Sequence, residues 1–265
     1  MNLRDKYQEE FNISLSIANL YQALNDLQND INNISLPEPI KSNFGENIPF
    51  AMFWFNIEKT FIYCNGGIGY DMFLCKQHLS HMNTYWWILL NKKLNEKEKE
   101  TCTVEIEHHF YILLNCIYNA KEKWLRLFDK KKDKPIKISV LKNRCYGLFN
   151  SEINTLYTNI DFLCKARHCL VHDISSIRFI SSSNVVAITK SIYNLSTNNL
   201  YEELKKKVIY KFKIEDILAA IVKMEESRKK ILSYLADPNN IDDKLLLSKY
   251  YNQSENKYVF SINNF

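Results

Sequence analysis

Residues 161–173 read DFLCKARHCLVHD, and they hold one of only six arginines in a chain of 265 residues. Histidines follow the arginine at positions 168 and 172. Extended toward the N-terminus, the segment carries apolar side chains at Ile153, Leu156, Tyr157, Ile160, Leu163 and Cys164. It continues past Arg167 with Leu170, Val171 and Ile174. The steps are three and four, so residues 149–174 are predicted to form one amphipathic helix. In that register Arg167 falls on the apolar seam, where a charge is costly unless it is paired or faces a polar cavity. Asp161, Lys165, His168 and His172 follow the same steps along the polar border, and the two histidines, four apart, share a face.

The rest of the chain reads as mainly α. Helices are predicted over 3–33 (stripe Leu15, Ile17, Leu20, Tyr21, Leu24), over 70–94 with Trp86 and Trp87, and over 97–130. The stripe of the last runs through Tyr111, Leu114, Tyr118, Leu125 and Phe128. Another is predicted over 215–237, opening with acids and ending before Pro238, and a last short one over 241–252. Residues 35–49 hold three of the five prolines and read as a loop. Residues 50–64 fit strand or helix, and NGGIG at 65–69 reads as a break. SIRFISSSNVVAITKSIYN reads as two short strands turning at Ser-Asn, with a third near 206–214. The expected class is therefore mainly α with a small β insertion near 176–213. No internal repeat and no long linker divides the chain, so 1–265 is expected to form a single domain.

Composition narrows the function classes. Hydrophobic residues at 46% and charged residues at 25% suit a globular protein, and five Gly with five Pro argue against a loop-rich all-β fold. A net charge of +5 permits contact with a phosphate backbone without requiring it. The cysteines, at 64, 75, 102, 116, 145, 164 and 169, are odd in number and form no CxxC pair. They fit neither a disulfide framework nor a zinc finger, and they lie in apolar runs as small buried hydrophobes do. A reducing cytoplasm is the expected compartment. The charged start MNLRDKYQEEFN is no signal peptide. The most apolar run, 48–64, is broken by Glu58 and Lys59 and is too short to cross a membrane.

The histidine at position 172 can take or give a proton near neutral pH, and the guanidinium at 167 can grip a phosphate through two parallel hydrogen bonds. Together they suit attack of an RNA 2′-hydroxyl on the adjacent phosphate. Arg167-His168-Cys169-Leu170-Val171-His172 resembles the signature of the HEPN superfamily: an arginine, a polar residue, a short mostly apolar spacer and a histidine, near the end of a long helix. The resemblance implies an antiparallel HEPN-like helical bundle that dimerises so that two motifs meet in a cleft. It implies a metal-independent endoribonuclease of the toxin or abortive-infection kind, serving phage defence or stress response, with no cofactor. Arg167 would stabilise the scissile phosphate, His172 would act as acid and base, and His168 would be the polar second residue. RNA is the implied substrate, a second copy of the chain the implied partner, and an antitoxin or regulatory protein a further one. The alternative is a non-catalytic HEPN-like scaffold that binds nucleic acid or a protein partner; a separate, purely structural reading is a buried Arg167 paired with a core carboxylate, with the histidines at a helix end favoured by its dipole.

Other constellations are weaker. EIEHH at 105–109 puts Glu105 and His109 on one helical face, and His78 and His81 lie three apart in the preceding helix. These could supply metal ligands, but no HExxH order occurs, and an ion-pair face or polar core edge is the expected reading, with no metal site. CNGGIGYD at 64–71 lacks the Lys-Ser/Thr of a phosphate loop and reads as a turn. Lys130–Lys134, Lys205–Lys207 and Arg228-Lys229-Lys230 are expected to be solvated, with some available to guide RNA.

Overall fold

The structure, a computed structural model, describes residues 2–35, 68–128, 148–173, 175–180, 183, 185–195, 201–236, 251–252 and 257–258. Among them are six α-helices: α1 Leu3–Tyr7, α2 Leu15–Asn32, α3 Ile68–Asn91, α4 Glu96–Phe128, α5 Leu148–His172 and α6 Ile214–Ala236. Between α5 and α6 the chain forms an antiparallel sheet of β1 Ser175–Ile180, β2 Val185–Leu195 and β3 Tyr201–Phe212, in that order. The short strands β4 Tyr251–Asn252 and β5 Lys257–Tyr258 pair with each other. The protein is thus mainly helical with a small sheet, as its periodicities require. No helix among the described residues is long and apolar enough to cross a membrane.

Backbone contacts divide the chain into two compact units. The first comprises 1–20, 74–118 and 161–220, and the second comprises 21–73, 119–160 and 221–265. Helices α2 to α6 each contribute residues to both. In the first unit, β2 is the central strand and Val185–Thr189 are all buried, which is why this strand reads as a continuous apolar run rather than an alternating one. Phe212 at the end of β3 packs against Phe110 of α4, with centroids 5.2 Å apart, and Phe162 of α5, at 5.8 Å. Phe179 of β1 meets Trp86 of α3 edge-on at 4.8 Å. The β2–β3 register slips at Ile188/Thr189 and at Ile192/Tyr193, bulges of the kind that bend a strand and increase its twist. At edge strand β1, the Phe179 N–H donates to Glu107 Oε1 of α4 at 3.0 Å. Burial holds that carboxyl above its ordinary range, against the pull of the Phe179 N–H and of Arg178.

Helix α4 opens on a reciprocal capping box. The Glu98 N–H donates to Asn95 Oδ1 at 2.9 Å, and the Asn95 N–H donates to Glu98 Oε2 at 3.0 Å. Asn95→Ala is expected to cost about 1 kcal/mol in a urea unfolding measurement; an unchanged midpoint would show that the cap is not formed in solution.

Several boundaries and registers differ from the sequence reading. The helix expected over 3–33 is broken: α1 ends in a 3-10 turn at Gln8–Glu10, and α2 starts only at Leu15. The break falls at Asn12 and Ser14, whose side chains favour caps and turns over helix interiors. Leu15 is 76% exposed, and the buried line of α2 is Ile17, Leu24 and Ile31. On α4 the buried line is Cys102, Ile106, Phe110, Leu113, Ile117 and Ala120, whereas Tyr111, placed on the stripe by its spacing, is 44% exposed. Leu114 of the expected stripe is buried and Tyr118 half-buried, whereas Tyr111 lies at the boundary, where its phenol hydroxyl meets water. Ile68 and Gly69, read as part of a break, open α3. Residues 251–252, read as the end of a last helix, are strand, with Tyr251 opposite Tyr258. The loop over 36–49, the aromatic run 50–64 and the proposed helix over 241–250 lie outside the described residues. Cys75, Cys102, Cys116 and Cys164 are buried, as expected of small core residues.

Candidate functional site

Arg167, His168 and His172 lie on the last two turns of α5, within the first compact unit. The buried line of this helix runs through Tyr157, Ile160, Leu163 and Ala166. Cys164 is buried too, and Arg167, three residues after it and four after Leu163, falls on this apolar side as its spacing predicts, half-buried. Leu170 is half-buried and Val171 is 44% exposed, so the seam opens to solvent over the final turn. Asp161, Lys165, His168 and His172 are exposed, as the border register requires, and Lys165 pairs with Asp161 at 2.6 Å.

Two side chains of α4 hold Arg167. Its Nε donates to Asn115 Oδ1 at 3.2 Å, and its guanidinium carbon stands 4.3 Å from the centre of the Tyr118 ring. Stacking and a bond through Nε fix the plane of the guanidinium and leave its outer N–H groups unbonded to any described residue. Among the described residues no carboxylate forms an ion pair with it, so the core pairing of the purely structural reading is not what satisfies this charge. The His168 and His172 rings lie 4.3 Å apart, tilted by 44°. A phosphate would meet a planar fork of donors beside two accessible imidazoles.

The sheet secures the end of this helix. Asp173 N–H donates to Cys169 O at 2.9 Å, Ser175 N–H donates to Asp173 O at 2.8 Å, and Lys190 of β2 pairs with Asp173 at 3.1 Å. Burial, and then the neighbouring Cys169, raise the phenol of Tyr210 on β3. The β insertion thus has a role the sequence did not reveal: it braces the turn that carries His172. Asp173 is engaged by Lys190 and is not part of the exposed group.

A second histidine cluster lies in the same unit. The donor nitrogens of His78, His81 and His109 lie within 4.8 Å of one another, and His78 Nδ1 is 3.0 Å from His109 Nδ1. Glu105 Oε2 stands 3.6 Å from His109 Nε2, and the Tyr85 ring stacks on His109 at 6.0 Å. Burial, the neighbouring imidazoles and the Arg4 guanidinium push His109 down to about 4. His78 and His81 are lowered as well, by burial first, then by His108 and by Arg4 and His78 respectively. His108 is exposed, its ring 5.6 Å from that of His109, and its donors are not among those that converge. Spacing alone brought His78 and His81 together; only the pairing of α3 with α4 adds His109.

The basic cluster at 228–230 is solvated only in part: Lys230 is exposed and Lys229 half-buried, but Arg228 is buried. Arg228 is buried against Glu225, Lys229 pairs with Asp30, and Lys230 reaches Glu152 at 3.3 Å. Of Lys205–Lys207, Lys207 is exposed; Lys130–Lys134 lie outside the described residues. No model of a known protein family, no curated protein and no solved structure matches this chain.

Proposed function

We propose that the chain is an endoribonuclease of the HEPN type, acting as a dimer on RNA through Arg167 and His172 with His168 in support. The observation that carries this reading is the preset guanidinium: held at Nε and on one face, with its outer donors unspent, beside two exposed imidazoles on the same two turns. In the proposed reaction His172 takes the proton of a ribose 2′-hydroxyl as the oxygen attacks the neighbouring phosphorus. The P–O5′ bond breaks, the 5′-oxygen collects a proton, and the products are a 2′,3′-cyclic phosphate and a 5′-hydroxyl. Arg167 neutralises charge that grows on the non-bridging oxygens. One copy provides one guanidinium and one histidine pair; a two-fold dimer would provide two of each, and exposed Val171 is an apolar contact available to such an interface.

The test is cleavage of a broad RNA pool in EDTA with end-group analysis of the products. Cyclic phosphate ends support the reading, and cleavage that stops on chelation contradicts the mechanism. Asn115→Ala tests the positioning of Arg167. It is expected to lower the cleavage rate about tenfold, the worth of one charge-assisted hydrogen bond, without altering the cyclic ends. An unchanged rate would remove Asn115 from the argument.

A further inference from the structure

We propose that His78, His81 and His109 form a binding site for a divalent zinc ion, separate from the residues assigned to RNA cleavage. The three imidazoles come from two helices, α3 and α4, and their donor atoms converge within 4.8 Å. Nitrogens bound to one tetrahedral zinc at about 2.0–2.1 Å stand about 3.4 Å apart. The 3.0 Å separation of His78 Nδ1 and His109 Nδ1 is already at that scale, and His81 has only a short distance to close. Without a cation, one of those two nitrogens must carry a proton for the other to accept; a cation placed between them takes that proton's position. Imidazole nitrogen suits zinc, copper and nickel, and three protein ligands leave one position open for water or another ligand.

The surroundings supply an outer partner. His109 turns Nδ1 toward His78 and Nε2 toward Glu105 Oε2, 3.6 Å away. The groups stand in carboxylate–histidine–metal order; at 3.6 Å the carboxylate is beyond hydrogen-bond distance and would have to close on Nε2 to fix the tautomer of the ligand. Glu105, four residues before His109, lies on the same face by helical spacing. Tyr85, stacked on His109, is itself held through its hydroxyl by Asn2 Oδ1 at 2.9 Å, which restrains the ring it covers. The charge nearby that opposes a cation is Arg4, whose guanidinium acts on both His81 and His109.

The experiment is zinc titration of the full chain after EDTA treatment and dialysis, read by calorimetry and by metal analysis of the desalted protein. The expected result is one zinc per chain, falling below a tenth of a zinc in His81→Ala and in His109→Ala and unchanged in His108→Ala. Glu105→Gln is expected to weaken binding 10- to 100-fold, and Arg4→Gln to tighten it. Should a histidine variant fail to fold, as judged by circular dichroism, the wild-type chain loaded with cobalt decides: a visible band of tetrahedral nitrogen-ligated cobalt supports the site. Absence of stoichiometric zinc and of that band overturns it, as does full zinc retention in both histidine variants. Because His172→Ala is expected to keep the zinc, failure of the cleavage reading and failure of this one are separable.

Discussion

His172→Ala is expected to lower RNA cleavage by about 10²- to 10⁴-fold, the range over which a positioned acid–base group accelerates proton transfer. The side chain is exposed at the end of α5 and bonds to no described residue, so its removal is expected to change stability by no more than about 0.5 kcal/mol. That makes it a cleaner probe than Arg167→Ala, which also removes the Tyr118 stack and the Asn115 hydrogen bond. The measurement is initial cleavage rate in EDTA at matched oligomeric state. A variant that cuts as fast as the wild type would end the assignment of His172 as acid and base. Arg167→Lys completes the comparison. It keeps the charge and loses the fork, so a strong drop identifies bidentate phosphate contact, whereas full activity reduces Arg167 to a point charge.

Much of this was legible before the structure. The three-and-four steps over 149–174 define α5 to within two residues at its end, and they place His168 and His172 on one exposed border. Arg167 follows buried Leu163 and Cys164 by four and three residues, so it falls on the apolar side where its spacing placed it. What holds its guanidinium could not be read: Asn115 and Tyr118 lie some 50 residues away and enter only when α4 packs beside α5. The histidine cluster shows the same limit. His78 and His81 are an i, i+3 pair and Glu105 and His109 an i, i+4 pair, both visible in the sequence, but the alignment of one helix with the other is a tertiary fact. On α4, the buried side takes in Leu114 of the expected stripe and leaves Tyr111, with its phenol hydroxyl, exposed.

The second large effect is expected on α6. Glu225→Ala should destabilise the protein by about 3–5 kcal/mol, because it leaves a buried guanidinium without its partner. Glu225 is fully buried, and Arg228 donates from Nη1 to its two carboxylate oxygens at 3.3 and 3.0 Å while its Nε finds no acceptor. The sequence reading assigned Arg228 to a solvated cluster with Lys229 and Lys230, and that was an error the sequence itself contained the means to avoid. Ile217, Ile221, Met224, Arg228, Ile231 and Leu232 step by three and four along the buried side of α6, so Arg228 falls on an apolar seam. The reasoning that drew attention to Arg167 applied with more force here, and the i, i+3 carboxylate that satisfies the charge was in plain view at Glu225. Urea unfolding of Glu225→Ala and of the double replacement Glu225→Leu with Arg228→Met checks the point. The single variant should lose about a fifth or more of a total stability of about 5–15 kcal/mol, whereas the double one should fall close to the wild type or above it, since well-packed apolar residues replace a buried pair at little or no cost. Equal losses in both would mean that shape, not charge, is what this site requires. The contrast with Arg167 then has a physical basis. An arginine whose charge is met by a buried carboxylate on its own helix is spent on the fold, whereas one held by an amide and an aromatic face keeps its outer donors for a ligand.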